Sequence, residues 1–472
     1  MPGKKGGKSK QSKQNNQNNA PVVKYGPGKI CLNMIVKNEE KVMERCLNNH
    51  EHLIDAVAIV DTGSSDKTIE IIVKWCQKRK LPCEVIVDPW RDDFGYSRTA
   101  ALRHGEAFVE KIKKKEVPFS PDDNGEIWYL CFADADNVMF SLDSSSPIEV
   151  KKNRMGADAY RVEMRSYGSS YDYLWMVKVN PDKQWKWYSP VHEYVDPLKN
   201  EKGEKLWQPH YEKLTGGFIE SRREGARSLD PDRYMRDSVA FEKALLDDPM
   251  NDRYLYYLGQ SYRDAASCYQ TRAEEAKKKS EAMSKGPLPL SPKEEEEKKK
   301  LDLTHNQLIQ KAAILLQRGE KAFIYRASVQ PFNTWNDEYT YNAWLEAGRL
   351  RLRRKSKYDS KSIEYFMKAH EKRPHRLEGA YYVLHHYLQC GLHKMGWSLA
   401  KDLVNLPYPE GEIIFVDQSI HKYSFAFEAS LCAYYAGNKA KFVDLSNRVI
   451  ECASTPDNIR SAAKQNLEKF GK

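Results

Sequence analysis

Between residues 30 and 136, short apolar runs alternate with amphipathic stretches, and each apolar run stops at a polar cluster. Ile30–Val36 gives way to Lys37-Asn38-Glu39-Glu40, then to Val42, Met43, Cys46 and Leu47 at helical spacing. Ala56–Val60 ends at Asp61-Thr62-Gly63-Ser64-Ser65-Asp66, ahead of a helical stretch reaching Trp75. Cys83–Val87 ends near Asp88-Pro89-Trp90, ahead of a helix expected over Tyr96–Val109, and Trp128–Ala133 ends at Asp134. This alternation predicts βαβ units and an α/β, Rossmann-like, mostly parallel sheet. Ligands of such sheets bind beyond the carboxyl ends of the strands, which is where the polar clusters stand.

The pattern then changes twice. Residues 158–210 are rich in aromatics, among them Tyr160, Tyr167, Tyr173, Trp175, Trp185, Trp187 and Trp207, and read as short strands and loops. Most of these rings should pack a core or lid, with a minority lining a site. From about residue 230 the pattern is helical to the end. Asp248-Pro249, Gln330-Pro331 and Arg373-Pro374 each precede an aromatic-rich helix. Leu258-Gly259 with Tyr262, and later Ala347-Gly348, fit the small-residue and aromatic spacing of tetratricopeptide (TPR) helices, which stack because none buries its apolar face alone. A charged insertion at about 272–301 reads as extended, solvent-exposed helix ends joined by a Pro-rich loop.

Composition excludes several classes. No run of about 20 apolar residues exists, so no transmembrane helix is expected, and the N-terminus lacks an apolar signal core. The nine cysteines form no CxxC pair or Cys-His metal spacing, which reads as reduced thiols in a cytoplasmic, soluble protein. The net charge is +10, and half of that excess sits in the first 20 residues, which hold five lysines and no acid. Residues 1–27 read as a disordered, solvating tail, with polyanion contact the alternative.

Asp134-Ala135-Asp136 is the strongest chemical signal. The triplet directly follows the apolar strand WYLCFA. Mg²⁺ and Mn²⁺ are hard cations, often held by one or two carboxylates plus substrate phosphates. Two carboxylates at a buried strand end can face one such ion, which would neutralise a diphosphate leaving group. Surface carboxylates in a plain strand-to-loop transition are the alternative.

ICLNMIVKNEE through AIVDTGSSDKT, WRDDFGYSRTAALRHG and WYLCFADAD stand in the order of the conserved blocks of family-2 glycosyltransferases of the GT-A fold, and the chain resembles that family over about residues 30–210. The helical remainder resembles the TPR-like extension of some members. The resemblance implies a GT-A catalytic domain over 28–225 and an all-α TPR-like domain over 230–472. It implies that Asp61 hydrogen-bonds the nucleobase, against the plainer reading of an Asx-turn or helix cap. Val36, Lys37, Asn38 and Glu39 would border base and ribose. Arg98 would approach the base or diphosphate, unless it forms a structural pair with Asp92 or Asp93. Asp134, Ala135 and Asp136 would meet the donor, and Asp134 and Asp136 the metal. Val191-His192-Glu193 resembles a motif of this branch, with His192 as a further metal ligand and Glu193 as the candidate general base. The plainer reading of His192 is a loop histidine in an aromatic shell. The acidic pair that usually supplies the base in this family is not evident here. A thiol acceptor, as in peptide S-glycosyltransferases with similar blocks, needs less base assistance.

The expectation is a metal-dependent inverting transferase with Mn²⁺ or Mg²⁺, a nucleotide-sugar donor with UDP favoured over GDP, and a protein, peptide or glycan acceptor selected with help from the helical part. Self-association is allowed for. The rival from another class is a TPR-type adaptor carrying an inactive transferase-like domain.

Overall fold

The computed structural model describes residues 25–471 apart from 123–125, 142–153, 167–168, 223, 286–289, 330–335 and 413–414. Most of the Lys-rich tail, Tyr167 and Gln330-Pro331 therefore lie outside the described residues. The described residues up to Tyr188, with Glu193–Leu229, form one compact unit; Asp230 onward, with Ser189–His192, forms a second.

The first unit opens with β1 (Gly28–Val36), α1 (Met43–His50), β2 (Ala56–Asp61), α2 (Thr68–Arg79), β3 (Cys83–Val87), α3 (Phe94–Lys113) and β4 (Ile127–Phe132). It continues with β5 (Asn137–Ser141), β6 (Ala159–Ser166), β7 (Ser169–Lys178), β8 (Trp185–Tyr188), β9 (Tyr194–Pro197) and β10 (Tyr211–Ser221). Eight strands form one sheet in the order β3-β2-β1-β4-β7-β6-β10-β5, and β8 pairs with β9 separately. β3, β2, β1 and β4 run parallel, and β6 pairs parallel with β10. β7 and β5 supply the antiparallel pairings. Val36 stands opposite Asp61, and Asn33 opposite Phe132, so the polar clusters after β1, β2 and β4 open at one edge of the sheet.

Alternate residues of β1 serve opposite faces, as the two-residue period of a strand requires. Ile30, Leu32 and Met34 pack with Met43, Leu47, Ile72 and Trp75 on one side. Cys31 faces Leu102, Phe108, Val109 and Ile112 of α3 on the other. Fully burying each such aliphatic or aromatic side chain stabilises the fold by about 1.5–3 kcal/mol. α3 starts two residues earlier than expected because Asp93 caps it, accepting from the Tyr96 N–H at 2.8 Å. Its approach to the sheet needs Gly105, where a Cβ would lie 2.8 Å from Asn33 Nδ2 and 3.0 Å from a Leu130 methyl. The buried stripe of α3 is Ala101, Leu102, Gly105, Phe108, Val109 and Ile112, and Arg98 occupies its N-terminal end.

The second unit is helical. Its helices are α4 (Arg233–Asp247), α5 (Asp252–Ser284), α6 (Pro292–Ser328), α7 (Asn336–Lys355), α8 (Ser360–Lys372), α9 (Leu377–Gln389), α10 (His393–Leu403), α11 (Phe425–Tyr435), α12 (Lys439–Glu451) and α13 (Asp457–Phe470). A π-helical turn, Ile420–Ser424, leads into α11. Each helix packs on the next. Gly259 of α5 lies against the Phe323 ring, and Gly348 of α7 against the Phe366 ring, so the small residue of each Leu-Gly or Ala-Gly pair admits an aromatic from the following helix. The charged insertion prolongs α5 and α6. Their extensions pack on each other through Ala273, Ala276 and Ser280, with Ser280 Oγ on Asp302 at 2.5 Å and the His305 ring on the Ala273 carbonyl at 3.0 Å. Among the described residues no helix is long and apolar enough to cross a membrane.

Candidate functional site

The loops after β1 and β2 are zipped together. Asn38 adopts a left-handed backbone, φ 56°, a conformation asparagine tolerates better than most residues. Its N–H donates to Ser64 Oγ, and its Oδ1 accepts from the Ser65 N–H, both at 2.8 Å. The Glu39 N–H donates to Thr68 Oγ1 at 2.8 Å. Asp61, only 1% exposed, divides its carboxylate. Oδ1 accepts from the N–H groups of Gly63 (2.8 Å) and Ser64 (2.7 Å), which is Asx-turn chemistry. Oδ2 is buried without a hydrogen-bond partner among the described residues. A buried acceptor left open costs about 1–3 kcal/mol and calls for an explanation. A ligand N–H is one that fits.

Arg98 binds two carboxylates from distant parts of the unit. Its Nε donates to Glu193 Oε1 at 2.7 Å and its Nη2 to Asp134 Oδ1 at 2.5 Å. The guanidinium lies 5.1 Å from the centroid of the Trp187 ring. Trp187 is fixed to α3 through its backbone, because Thr99 Oγ1 donates to its carbonyl and accepts from its N–H. That clamp holds the β8–β9 pair, and Glu193 just before β9, beside Arg98. Burial alone would lower the pKa of Arg98, but Asp134 and Glu193 outweigh it and raise it. The alternative partners are engaged otherwise: Asp93 caps α3, and Asp92 accepts from Trp90 Nε1 at 2.9 Å.

Asp134, Ala135 and Asp136 form the turn between β4 and β5, closed by the Asn137 N–H on the Asp134 carbonyl at 2.9 Å. Asp134 is half exposed, whereas Asp136 is 8% exposed. Asp136 Oδ2 accepts from the Gly225 N–H at 3.3 Å, and Glu39 from the Ala226 N–H at 3.3 Å. No cation pairs with Asp136 or Glu39 among the described residues. Burial first, then the Asp134 charge, raises the pKa of Asp136. Burial, with Asp136 and Asp134 adding to it against the Ala226 N–H, pushes Glu39 up to about 7. Three carboxyl groups that repel one another at a strand end are hard oxygen donors short of positive charge, which suits a divalent cation. Among the described residues no group of three or more His, Cys, Asp or Glu side chains is arranged to hold a metal alone. Two aspartates completed by substrate phosphates remain the coordination the turn can offer.

Of the expected residues, the structure gathers Glu39, Arg98, Asp134, Asp136 and Glu193, with Val36 and Asp61 ending the adjoining strands, Asn38 in the loop after β1 and Lys37 exposed beside it. His192 groups with the helical unit, where its ring stacks on Tyr257 at 4.3 Å and its carbonyl accepts from Arg253. Two contributors were not singled out from the sequence. Tyr173 of β7 faces Arg98, Asp134 and Glu193, and burial raises the pKa of its hydroxyl. The Gly225-Ala226 backbone donates to the two carboxyls named above. Nothing in the local sequence distinguishes Tyr173 from neighbouring aromatics, and backbone donors leave no side-chain signal.

Residues 31–107 match the family model described as Glycosyl transferase family 2. That segment holds Val36–Glu39, Asp61 and Arg98 and stops before Asp134. The chain is similar to the SPbeta prophage-derived glycosyltransferase SunS of Bacillus subtilis (strain 168), at 26% identity over 99 residues, 21% of this chain and 22% of that protein. Glycosyltransferase SunS of Bacillus phage SPbeta matches at the same identity and extent, so the chain spans under a quarter of the length of these relatives. A solved structure, that of S. aureus TarS, shares 12% identity, with 74% of this chain and 55% of that one covered at a TM-score of 0.27. The match to the glycosyl transferase family 2 model thus lies on β1 to α3, the segment that carries Glu39, Asp61 and Arg98, while Asp134 and Asp136 stand beyond it and a helical unit follows.

Proposed function

We propose that this domain transfers a sugar, with inversion, from a nucleoside-diphosphate donor to an acceptor, in the presence of Mn²⁺ or Mg²⁺. The observation that supports this best is the surplus of carboxyl groups at the strand ends, next to an aspartate with an open buried oxygen. Asp61 Oδ2 would accept from a base N–H, with Val36, Lys37, Asn38 and Glu39 bordering base and ribose. UDP is favoured over GDP. Asp134 and Asp136 would hold the cation through their carboxylates, with Ala135 between them in the turn. A bound cation would supply charge neutralisation for the departing diphosphate. Arg98 offers a planar fork for phosphate oxygens. Glu193 is the base candidate; it must use its second oxygen or leave Arg98 Nε to accept the acceptor's proton. The glycine–aromatic packing of the helical unit supports a TPR-like reading, in which that unit selects a protein, peptide or glycan acceptor.

Asp136→Ala should abolish Mn²⁺-dependent sugar transfer, measured as nucleotide release across a panel of UDP- and GDP-sugars, while the chain stays folded. Full activity of that variant in EDTA would sink the reading. Absence of any metal-dependent nucleotide binding in calorimetry would favour an adaptor carrying an inactive domain.

A further inference from the structure

The two contacts of Arg98 differ in a way that gives the residue a second task. Its side chain is 9% exposed and that of Glu193 15%, so the Nε contact is shielded from water. The Asp134 side chain is 53% exposed, so the Nη2 contact meets solvent and salt. The root of the guanidinium is fixed by Glu193 and by Trp187, itself anchored to Thr99. Its tip rests on the one carboxylate of the triplet that is open enough to change partners. The other two acids of the cluster are met by backbone N–H groups of Gly225 and Ala226, which bring no full charge.

We propose that Arg98 is the resident counter-ion of the acidic site, and that donor loading exchanges it. In the ligand-free chain the guanidinium occupies Asp134. With the diphosphate present, Asp134 would hold a divalent cation, and Nη2, still tethered through Nε to Glu193, would turn to the phosphate oxygens. The inference rests on the proposed donor and metal reading and assigns Arg98 a role that reading lacks. The residue excludes a free cation from Asp134 before the diphosphate is present, and binds the diphosphate afterwards. It therefore predicts effects of opposite sign on two ligands. Removing the guanidinium should tighten Mn²⁺ alone and weaken UDP with Mn²⁺, whereas a residue that merely props up the site would weaken both.

The test is calorimetric titration of the full chain with Mn²⁺ alone, and with UDP at saturating Mn²⁺. Arg98→Gln should bind Mn²⁺ alone about tenfold more tightly than the parent, because a unit positive charge has left the site, and UDP–Mn²⁺ about tenfold more weakly. Arg98→Lys should shift both in the same directions by a smaller factor, since a point ammonium cannot bridge two carboxylates as a fork does. It carries the comparison if circular dichroism shows Arg98→Gln unfolded. Mn²⁺ affinity unchanged or weakened in a folded variant would overturn the counter-ion assignment while leaving the donor reading intact. No Mn²⁺-dependent UDP binding by the parent chain would overturn the donor reading itself, and the exchange with it.

Discussion

Both units bury carboxylates, and they treat them in opposite ways. In the helical unit Glu378, fully buried, is met by Arg376, equally buried, at 2.6 Å and by His421 Nε2 at 3.3 Å. Glu412 is shared among Arg373, His375 and Arg376, and Glu346 lies between Arg263 and Arg349. Burial would raise the pKa of all three acids, yet their partners outweigh it and hold them below the ordinary carboxylate range. In the sheet unit Asp136 and Glu39 go the other way, because their neighbours are acids and backbone amides. The first arrangement is complete in itself and serves packing. The second leaves Asp136 and Glu39 without a cationic partner among the described residues, an arrangement that serves no packing and suits the binding proposed above.

Breaking the balanced set should give the largest stability effect. Arg376→Met strands Glu378 in the core and should cost about 3–5 kcal/mol in denaturant unfolding. A loss under about 1 kcal/mol would mean that the helical charges are no better matched than those of the acidic site. Helix packing comes next. A Cβ at Gly348 would lie 2.5 Å from the Phe366 ring, so Gly348→Ala should cost about 1–3 kcal/mol through overpacking. It should leave nucleotide binding unchanged, and weakened UDP binding would blur the separation drawn here.

The smallest effect is in the pH dependence, and its sign differs between the units. Glu39 holds its proton in the folded chain up to about pH 7, against an ordinary value of 4.5, so the folded state binds the extra proton across that window. Stability from this group therefore falls as pH rises from 4.5 toward 7. For Glu378, Glu346 and Glu412 the contribution is present above the ordinary carboxylate range and is lost as pH falls through and below it. Glu39→Gln should flatten the decline between about pH 5 and 7 by about 1 kcal/mol or less, once solvent screening is allowed for. An unchanged slope in stability curves would remove Glu39 from the acid surplus.

The strands of the sheet unit were legible because buried parallel strands read as apolar runs with hard polar ends; Cys83–Val87 is found as expected, and the others differ by a residue or two. The mixed half was legible only as aromatic-rich strand and loop over 158–210, since nothing in the pattern signals the order β7-β6-β10-β5. At the site, residue types were readable but partners were not. Arg98 looked to Asp92 and Asp93 nearby, while its partners lie 36 and 95 positions away. Gly225 reaches Asp136 across 89 positions through a backbone N–H that any residue but proline owns.

Asp61 has an implication for descent. One oxygen shapes the turn after β2 and the other stands open, so a fold contact and an unfilled acceptor share the same side chain. A lineage that lost its chemistry could discard Arg98 or Asp136 and keep the turn after β2, but discarding Asp61 would leave the Gly63 and Ser64 N–H groups without their acceptor. An aspartate persisting at this position is thus weak testimony that a descendant is still active. The arginine on α3 and the second acid of the turn are the more truthful witnesses.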